Sequence, residues 1–405
     1  MNRIEEMLRE LCPDGVEYRP LGEVASIRTG AKPSVLEDCG RFSYVNGGVK
    51  ESGRTQESNA RGGVVTIPSR GSVGIASYQF SDFWLGPLCY EVRADVGLME
   101  ARFLFHFLKS VERSLIALQQ TGSIPALNKK ELIGFKVPVP PLEIQREIVR
   151  ILDSFTELEV ELEVELEARR KQYVFYRDQL LNFESARGGG RTSVLGLPPF
   201  EVRWATLGEV GCFYGGLTGK SKADFGASGS RFVSYKNVFE NSATRLDCES
   251  FVKIEPGEKQ NALHYGDVLF TGSSENREEA GMSSVLLEEP GEETFLNSFC
   301  ICYRWSVLSE VEPAFYRHLF RARSVRVAIS KTAMGVTRFN LSKAELKKIS
   351  IPIPPLDVQR RIADVLDSFD ALVNDLSSGL PAEIAARRKQ YEYYRDKLLT
   401  FPEKK

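Results

Sequence analysis

The chain has 405 residues, of which 42% are hydrophobic and 27% charged, and a formal net charge of −2. A length of this order suggests two or three domains with sizeable cores, and no run approaches the roughly 18–20 apolar residues of a membrane span. The near-neutral total would argue mildly against nucleic acid, but the charge is uneven. Residues 157–167 carry six glutamates at alternate positions, whereas 317–348 carry Arg317, Arg321, Arg323, Arg326, Lys331, Arg338, Lys343, Lys347 and Lys348 against Glu345 alone. A phosphate backbone responds to local charge.

The first ten residues mix acids and bases and lack the apolar stretch of a signal peptide, so a cytoplasmic location is expected. Residues 64–67 (VVTI) read as a short strand and 98–118 as a helix. At 137–146 (VPVPPLEIQR) a Pro-Pro pair, which cannot continue a helix but can precede one, leads into a long helix. There Ile148, Ile151, Phe155, Leu158 and Leu162 follow the 3-4 spacing of a coiled-coil seam, which Tyr173, Tyr176 and Leu180 continue. Residues 142–183 would span about 60 Å at 1.5 Å per residue. Residues 185–193 (SARGGGRTS) are a flexible linker by composition. Beyond it, 268–270 (VLF) and 300–303 (CICY) read as strands and 312–330 as a helix. A second long helix opens at 351–360 (IPIPPLDVQR), with Ile362, Val365, Phe369, Leu372 and Leu376 on its seam and a kink or break expected at 377–381 (SSGLP).

The chain is thus written twice. LDSF at 152–155 recurs at 366–369, and ARRKQY at 168–173 recurs at 386–391, four residues further along its helix. Tyr176-Arg177-Asp178 with Leu180-Leu181 recurs as Tyr394-Arg395-Asp396 with Leu398-Leu399. The intervening parts echo each other more faintly: LGEV at 21–24 and 207–210, FLFH at 103–106 and FYRH at 315–318. The expected fold class is α/β (α+β). Two variable domains with irregular mixed sheets are separated by two long helices, which pack antiparallel as a coiled coil and make the repeats pseudo-two-fold. Duplex DNA has the same local symmetry, and two unlike readers on one spacer would recognise a split, asymmetric site.

The proline-rich lead-ins, the ARRKQY…YRD…LL endings and the opening LCPDGVEYRPLGEV (11–24) together resemble specificity subunits of type I restriction-modification systems over essentially the whole chain. The resemblance implies a target recognition domain at 1–140, a central helix at 141–184, a linker and second recognition domain at 185–354, and a C-terminal helix at 355–405. Each recognition domain would read one half of a bipartite site in double-stranded DNA. The helices would set the spacing and dock two methyltransferase (modification) subunits, with restriction/translocase subunits joining. S-adenosylmethionine, ATP and Mg would belong to those partners, leaving this chain with no cofactor, no catalytic site and no membrane. Residues 157–168 (ELEV-ELEV-ELEA) would be a spacer adjuster. Each tetrapeptide adds about 6 Å of helix, one or two base-pair steps of about 3.4 Å. The plainer reading is an acidic helix face with Leu158, Leu162 and Leu166 in the seam, and both readings can hold together.

Candidate contacts lie in paired loops. Residues 41–50 (RFSYVNGGVK) and 231–238 (RFVSYKNV) share an aromatic followed by polar groups that can bond base edges: Asn46 with Lys50, and Lys236 with Asn237. The resemblance places at the DNA cleft the loops after the strands, with Ser69, Arg70 and Ser72 in the first half and Ser273, Ser274, Asn276 and Arg277 in the second. Arg70 suits guanine and Asn276 adenine. Lys129 and Lys130, and Arg338 and Lys343, would meet phosphates from 122–130 and 335–343, although Asn128 and Asn340 there read rather as helix caps. The loop 214–222 (YGGLTGKSK) fails the P-loop pattern, since Tyr214 stands where its first glycine is needed. Its Lys220 and Lys222 are read as phosphate contacts, with a solvated loop as the alternative.

The seven cysteines show no CxxC pair, and with three histidines give no zinc spacing. His106 and His318 occupy matching places and read as core or helix-packing residues, with no aligned nucleophile or acid. Two other functions compete with DNA reading. A stand-alone DNA methyltransferase or nuclease lacks support, because no NPPY- or DPPY-type motif and no FxGxG loop is present. A coiled-coil adaptor without nucleic acid leaves the basic stretch and the polar loop pairs unexplained.

Overall fold

The structure, a computed structural model, describes residues 2–120, 125–247, 249–375 and 377–404. They form two compact units, Met1–Val164 with Glu383–Lys405, and Glu165–Ala382.

In the first unit an antiparallel sheet runs in the order Ala25–Thr29, Cys89–Ala94, Val64–Pro68, Ser77–Gln79. Val64–Pro68 is buried throughout, as its unbroken apolar run requires of an inner strand. The helix Ala101–Ser110 lays Phe103, Leu104, Phe107 and Leu108 into the core over this sheet. A smaller mixed sheet pairs Phe42–Val45 antiparallel with Arg54–Thr55 and parallel with Trp84–Leu85. The short pair Tyr18–Pro20 and Lys136–Pro138 closes the domain just before Pro140-Pro141.

The second unit repeats this plan. Its sheet runs Gly211–Gly215, Cys300–Trp305, Val268–Thr271, Ser283–Val285, again all antiparallel. Ser230–Val233 pairs parallel with Thr294–Leu296 and antiparallel with Phe251–Val252. Arg203–Thr206 with Ser350–Ile353 makes the closing pair. A further sheet orders Ser273–Ser274, Phe339–Leu341 and Ala333–Met334.

Both predicted domain helices are divided. Residues 98–118 give Ala101–Ser110 and Glu112–Ala117, and the turn at Val111 lets the Glu112 carboxylate accept from the Ala76 N–H (3.1 Å). Residues 312–330 give Pro313–Leu319 and Arg323–Lys331, separated by a segment that carries Arg321 inward. The glycine-rich stretch expected to be a flexible linker is largely structured: Ala186 is buried and Arg191–Thr192 pairs with Phe200–Glu201.

The repeated PPL-x-x-Q lead-ins explain themselves in the structure. Gln145 and Gln359 are both fully buried. Gln145 accepts from Glu100 N–H (2.7 Å) and donates to the Leu98 and Pro140 carbonyls (2.9 and 2.7 Å). Gln359 does the same for Glu312, Glu310 and Pro354 (2.9, 3.1 and 2.8 Å). Each amide thereby ties its long helix to the start of a domain helix. Losing one would strand the buried Pro140 or Pro354 carbonyl, at about 1–3 kcal/mol, and loosen two part-buried backbone bonds.

The central helix, Leu142–Leu180, uses two faces in the first unit. Ile144, Ile148 and Leu152 enter the domain core. Phe155 stacks on Tyr394 (5.5 Å between rings), while Glu159 and Glu163 both hold Arg388 of the helix Leu380–Leu398. Rising numbers on one helix meet falling numbers on the other, so these segments run antiparallel. In the second unit Val358, Ile362 and Leu366 of Leu356–Asn374 are buried, and Phe369 meets Tyr176 at 5.7 Å. The seam departs from expectation in places: Leu152 is fully buried where Ile151 is half-buried, and Leu372 is exposed while Val373 is buried. Leu376 lies outside the described residues. Leu158, Leu162 and Leu166 are half-buried, with Val160 and Val164 exposed beside them.

The interruption in the second copy is a true break, from Asn374 to Leu380. Asp375 accepts from the Ser377 N–H (2.7 Å) and from the Ser377 hydroxyl (2.6 Å), and Ser378 also donates to it. These bonds hold its carboxyl at about 2. Gly379 is required there: a Cβ would lie 2.4 Å from the Ala371 carbonyl oxygen.

Candidate nucleic-acid interface

In the first unit the loops singled out from sequence converge. Asn46 Oδ1 accepts from Leu88 N–H (2.9 Å), Ser69 N–H donates to the Leu88 carbonyl (2.9 Å) and Leu127 N–H to that of Ser69 (2.9 Å). Ser72 N–H donates to Gly47 (2.8 Å). Gly71 has φ +80°, and a Cβ there would sit 2.4 Å from the Gly47 oxygen, so glycine is what lets these two loops touch. In the second unit Gly272 N–H donates to Phe299 (2.8 Å), Leu341 N–H to Gly272 (2.9 Å) and the Tyr235 hydroxyl to Ser273 (2.8 Å). The same frame therefore gathers the corresponding loops in each unit, with different side chains on it.

From the first cluster Lys50, Arg70, Lys129 and Lys130 are exposed, and Ser72 is half-exposed. From the second, Lys236, Asn276, Arg277, Arg338 and Lys343 are exposed, and Lys222 is exposed in the short 3-10 helix Lys222–Asp224. Lys236 lies 3.8 Å from Glu240, and Arg277 approaches the Ser330 carbonyl (3.5 Å). Arg338 sits over the Phe299 ring at 5.7 Å. Asn276 Oδ1 accepts from Glu278 N–H (2.9 Å), which leaves its amide NH2 outward.

Several proposed contacts have other work. Lys220 is almost buried and pairs with Glu258 at 2.5 Å, which with the bonds from Glu255 N–H and Gln260 holds that carboxyl at about 2. Asn237 is buried, donating to the Arg245 carbonyl (2.6 Å) and accepting from Arg245 N–H (3.2 Å). Ser69, Ser273 and Ser274 are buried, the last two within a strand. Asn46 spends its carbonyl on Leu88. The expected caps are not made either. Asn128 stands at the N-cap of Lys129–Gly134 without a side-chain bond, and Lys343–Leu346 is capped by Ser342 while Asn340 lies in a strand. Residues 122–124 of the loop 122–130 lie outside the described residues.

The basic stretch is only partly a surface. Arg317 pairs with Asp367 (2.5 Å) and Asp370 (3.4 Å). Arg321 donates to the carbonyls of Ser283, Val238, Phe239 and Asn241, and Arg326 to those of Gly281, Glu278 and Ala280. Burial pushes both guanidinium groups down to about 10.

His106 and His318 are buried, as expected of packing histidines, but each belongs to a hydrogen-bonded chain. His106 Nε2 meets Asp153 Oδ1 (2.7 Å) and Nδ1 meets the Tyr391 hydroxyl (3.3 Å). His318 Nε2 meets Asp367 Oδ1 (2.6 Å) and Nδ1 the Tyr173 hydroxyl (3.0 Å). Burial pushes both histidines down, and burial likewise raises both tyrosines, Tyr173 to about 12. A carboxylate only accepts, so Nε2 carries the proton and Nδ1 accepts from the tyrosine. The aspartates come from the two LDSF copies and the tyrosines from the two ARRKQY copies, each histidine using the tyrosine of the other helical repeat.

Among the described residues no group of three or more His, Cys, Asp or Glu could hold a metal ion. Cys300 and Cys302 are buried free thiols, and burial raises the first to about 12.

The sequence model of the type I restriction modification DNA specificity domain matches residues 13–169 and again 204–386. The chain belongs to this specificity family. It is 33% identical over 302 residues to the specificity subunit of the type I restriction enzyme EcoR124I/EcoR124II of Escherichia coli, covering 66% of this chain and 63%, under two thirds, of that subunit. It is 29% identical over 411 residues to S.HindORF215P of Haemophilus influenzae, provisionally named a type I restriction enzyme specificity subunit, covering 95% and 96% of the two chains. The fold is similar to that of a type I restriction-modification S subunit from M. genitalium (TM-score 0.57, 18% identity, 95% and 96% covered). It is also similar to a chain solved in work on assembly and conformational transition of the type I R-M system (TM-score 0.61, 20% identity, 95% and 97% covered). Within this specificity-family chain, sequence reasoning passed over Phe299, 58% exposed on the loop cluster, because a phenylalanine beside a strand reads as core. It also passed over Gln145 and Gln359, whose recurrence inside both lead-ins was the available signal.

Proposed function

We propose that the chain reads an asymmetric, bipartite site in double-stranded DNA for a type I restriction-modification complex and catalyses no reaction itself. Residues 1–140 and 185–354 act as target recognition domains, one per half-site, and 141–184 with 355–405 supply the helices that set the spacer. Those helices dock two methyltransferase subunits, and restriction/translocase subunits complete the complex in the cytoplasm. S-adenosylmethionine, ATP and Mg act on the partners, and this chain takes no cofactor.

The observation that carries this reading is one backbone frame, repeated in two units, presenting unlike exposed side chains: Lys50, Arg70, Lys129 and Lys130 in one, Asn276, Arg277, Arg338 and Lys343 in the other. Corresponding loops held by two matching backbone bonds but bearing different side chains suit two different half-sites, since phosphate contacts position and base-edge contacts specify. No helix of the described residues is long and apolar enough to cross a membrane. The test is methylome sequencing of a host expressing the chain with its methyltransferase partner, followed by a mobility shift of the purified complex. A methylated site with two defined halves around a fixed gap, bound with strong salt dependence, is expected. Methylation by the chain alone, or no shift at any salt, overturns the reading.

A further inference from the structure

The sheet Ser273–Ser274, Phe339–Leu341, Ala333–Met334 ends in a hairpin whose tip is unlike the rest of the loop cluster. Met334 pairs with Asn340 and Ala333 with Leu341. Gly335 turns the chain at φ +135°, where a Cβ would fall 2.0 Å from the Arg338 oxygen, so the turn is built around glycine. Beyond it Val336 is 91% exposed, with Met334 63% exposed at the base. Neither is used in packing, and the third strand anchors the hairpin through Ser273 opposite Asn340.

The surroundings are cationic. Lys331, Arg338 and Lys343 flank the hairpin, all exposed, and none is ion-paired among the described residues. Arg338 lies over the exposed Phe299 ring. Glu275, Glu278 and Glu279 are exposed on the neighbouring loop, so phosphate attraction concentrates at the hairpin itself. A two-stranded ribbon fits the major groove, about 12 Å wide, and the apolar group displayed on that groove's floor is the thymine C5-methyl. Lys331 and Lys343 at the ribbon's base, with Arg338 and the aliphatic Val336 together in the turn at its tip, suit phosphate contacts on either side of a base contact.

We propose that the hairpin Ala333–Leu341 enters the major groove of the half-site read by the second unit and that Val336 packs on a thymine methyl there. This rests on the DNA-reading role above and adds a specificity-determining residue to it.

The test uses the full chain in complex with its methyltransferase partner on duplexes carrying its methylome-defined site. Each thymine is replaced in turn by deoxyuridine, which deletes the major-groove methyl and nothing else. For the native complex one such replacement, in one half-site, weakens binding about fourfold, the worth of burying one methyl-sized group. Val336→Ala weakens binding to the thymine duplex by a similar factor and no longer distinguishes thymine from deoxyuridine at that position, while Val336→Thr keeps part of the discrimination. At 91% exposure neither change removes packing, so loss of folding does not intervene. The inference is overturned if no thymine responds, or if Val336→Ala weakens binding while the deoxyuridine penalty persists. That second result would mean a minor-groove wedge or a contact with protein. A complex that binds no bipartite site at all overturns the DNA-reading role instead, a result visible before any thymine is replaced.

Discussion

A lysine in a glycine-rich loop meets phosphate only if its ammonium is unpaired. Lys220 is not: Glu258 holds it, and its side chain is 6% exposed. Lys343, by contrast, stands exposed near Gly215, and Arg338 is exposed over a ring face. The two classes should separate in a salt titration of DNA binding by the complex. Lys343→Gln and Arg338→Gln each should flatten the log K against log[salt] slope by about 1, because one released counterion is lost with each phosphate contact. Lys220→Gln should leave that slope unchanged and loosen the loop 214–222. Equal slopes for all three variants would remove Arg338 and Lys343 from the phosphate-contact set. The sequence could not make this distinction. Glu258 is 38 residues from Lys220, and Asn237 finds Arg245 only once the chain turns beyond its short helix. The exposure of Arg70 and Lys50 was legible, because as long cations in polar loops they find no side-chain hydrogen bond or ion pair among the described residues. Buried polar side chains such as Ser273 were not, because polarity alone does not reveal a strand position.

At the level of elements the long helices were legible, because near-identical segments with a 3-4 apolar spacing leave little choice of structure. So was the break at 377–381, where Gly379 and Pro381 fall inside the pattern. What spacing could not show is that each helix divides its apolar residues between a domain core and a partner helix, which is why Leu152 and Val373 displace Ile151 and Leu372. The ELEV repeat gains meaning from Arg388, whose guanidinium reaches Glu159 and Glu163, the same position of successive tetrapeptides. Deleting residues 161–164 brings Glu167 into the place of Glu163, so the clamp can reform. The helix shortens by about 6 Å, and its C-terminal remainder turns by about 40°, since four residues exceed one turn of 3.6. The expected outcome is an intact complex whose methylome shows a shorter gap between unchanged half-sites. Altered half-site sequences with an unchanged gap would sink the ruler.

Across the whole molecule the same buried chain, tyrosine to histidine to aspartate, recurs in both units, and it should make folding stability fall in mild acid. Burial is the largest influence on His106 and His318 and favours the neutral ring. Asp153 and Asp367 pull the other way with less effect, and Arg102 and Arg317 beside them add to the lowering. Both histidines are therefore less basic in the folded chain than their ordinary value near 6.5. Below that pH the unfolded chain binds protons that the folded one refuses, so stability is complete above about 6.5 and falls as pH drops toward the folded values. Each refused proton costs up to about 1.4 kcal/mol per pH unit. Asp153 and Asp367 add a separate loss lower down. Burial opposes their charge, but hydrogen bonds from Arg102 and His106, and from His318 and Arg317, outweigh it and hold both carboxyls below the ordinary range near 3.9. Melting temperatures of the full chain should be level from pH 8 to 7 and decline from about 6.5, well above the carboxylate range. The double variant His106→Gln/His318→Gln, which keeps an amide that can donate to each aspartate but cannot titrate, should melt lower at pH 8 and lose the decline between 6.5 and 5. A decline of unchanged steepness in that variant would place the acid sensitivity outside these two buried histidines.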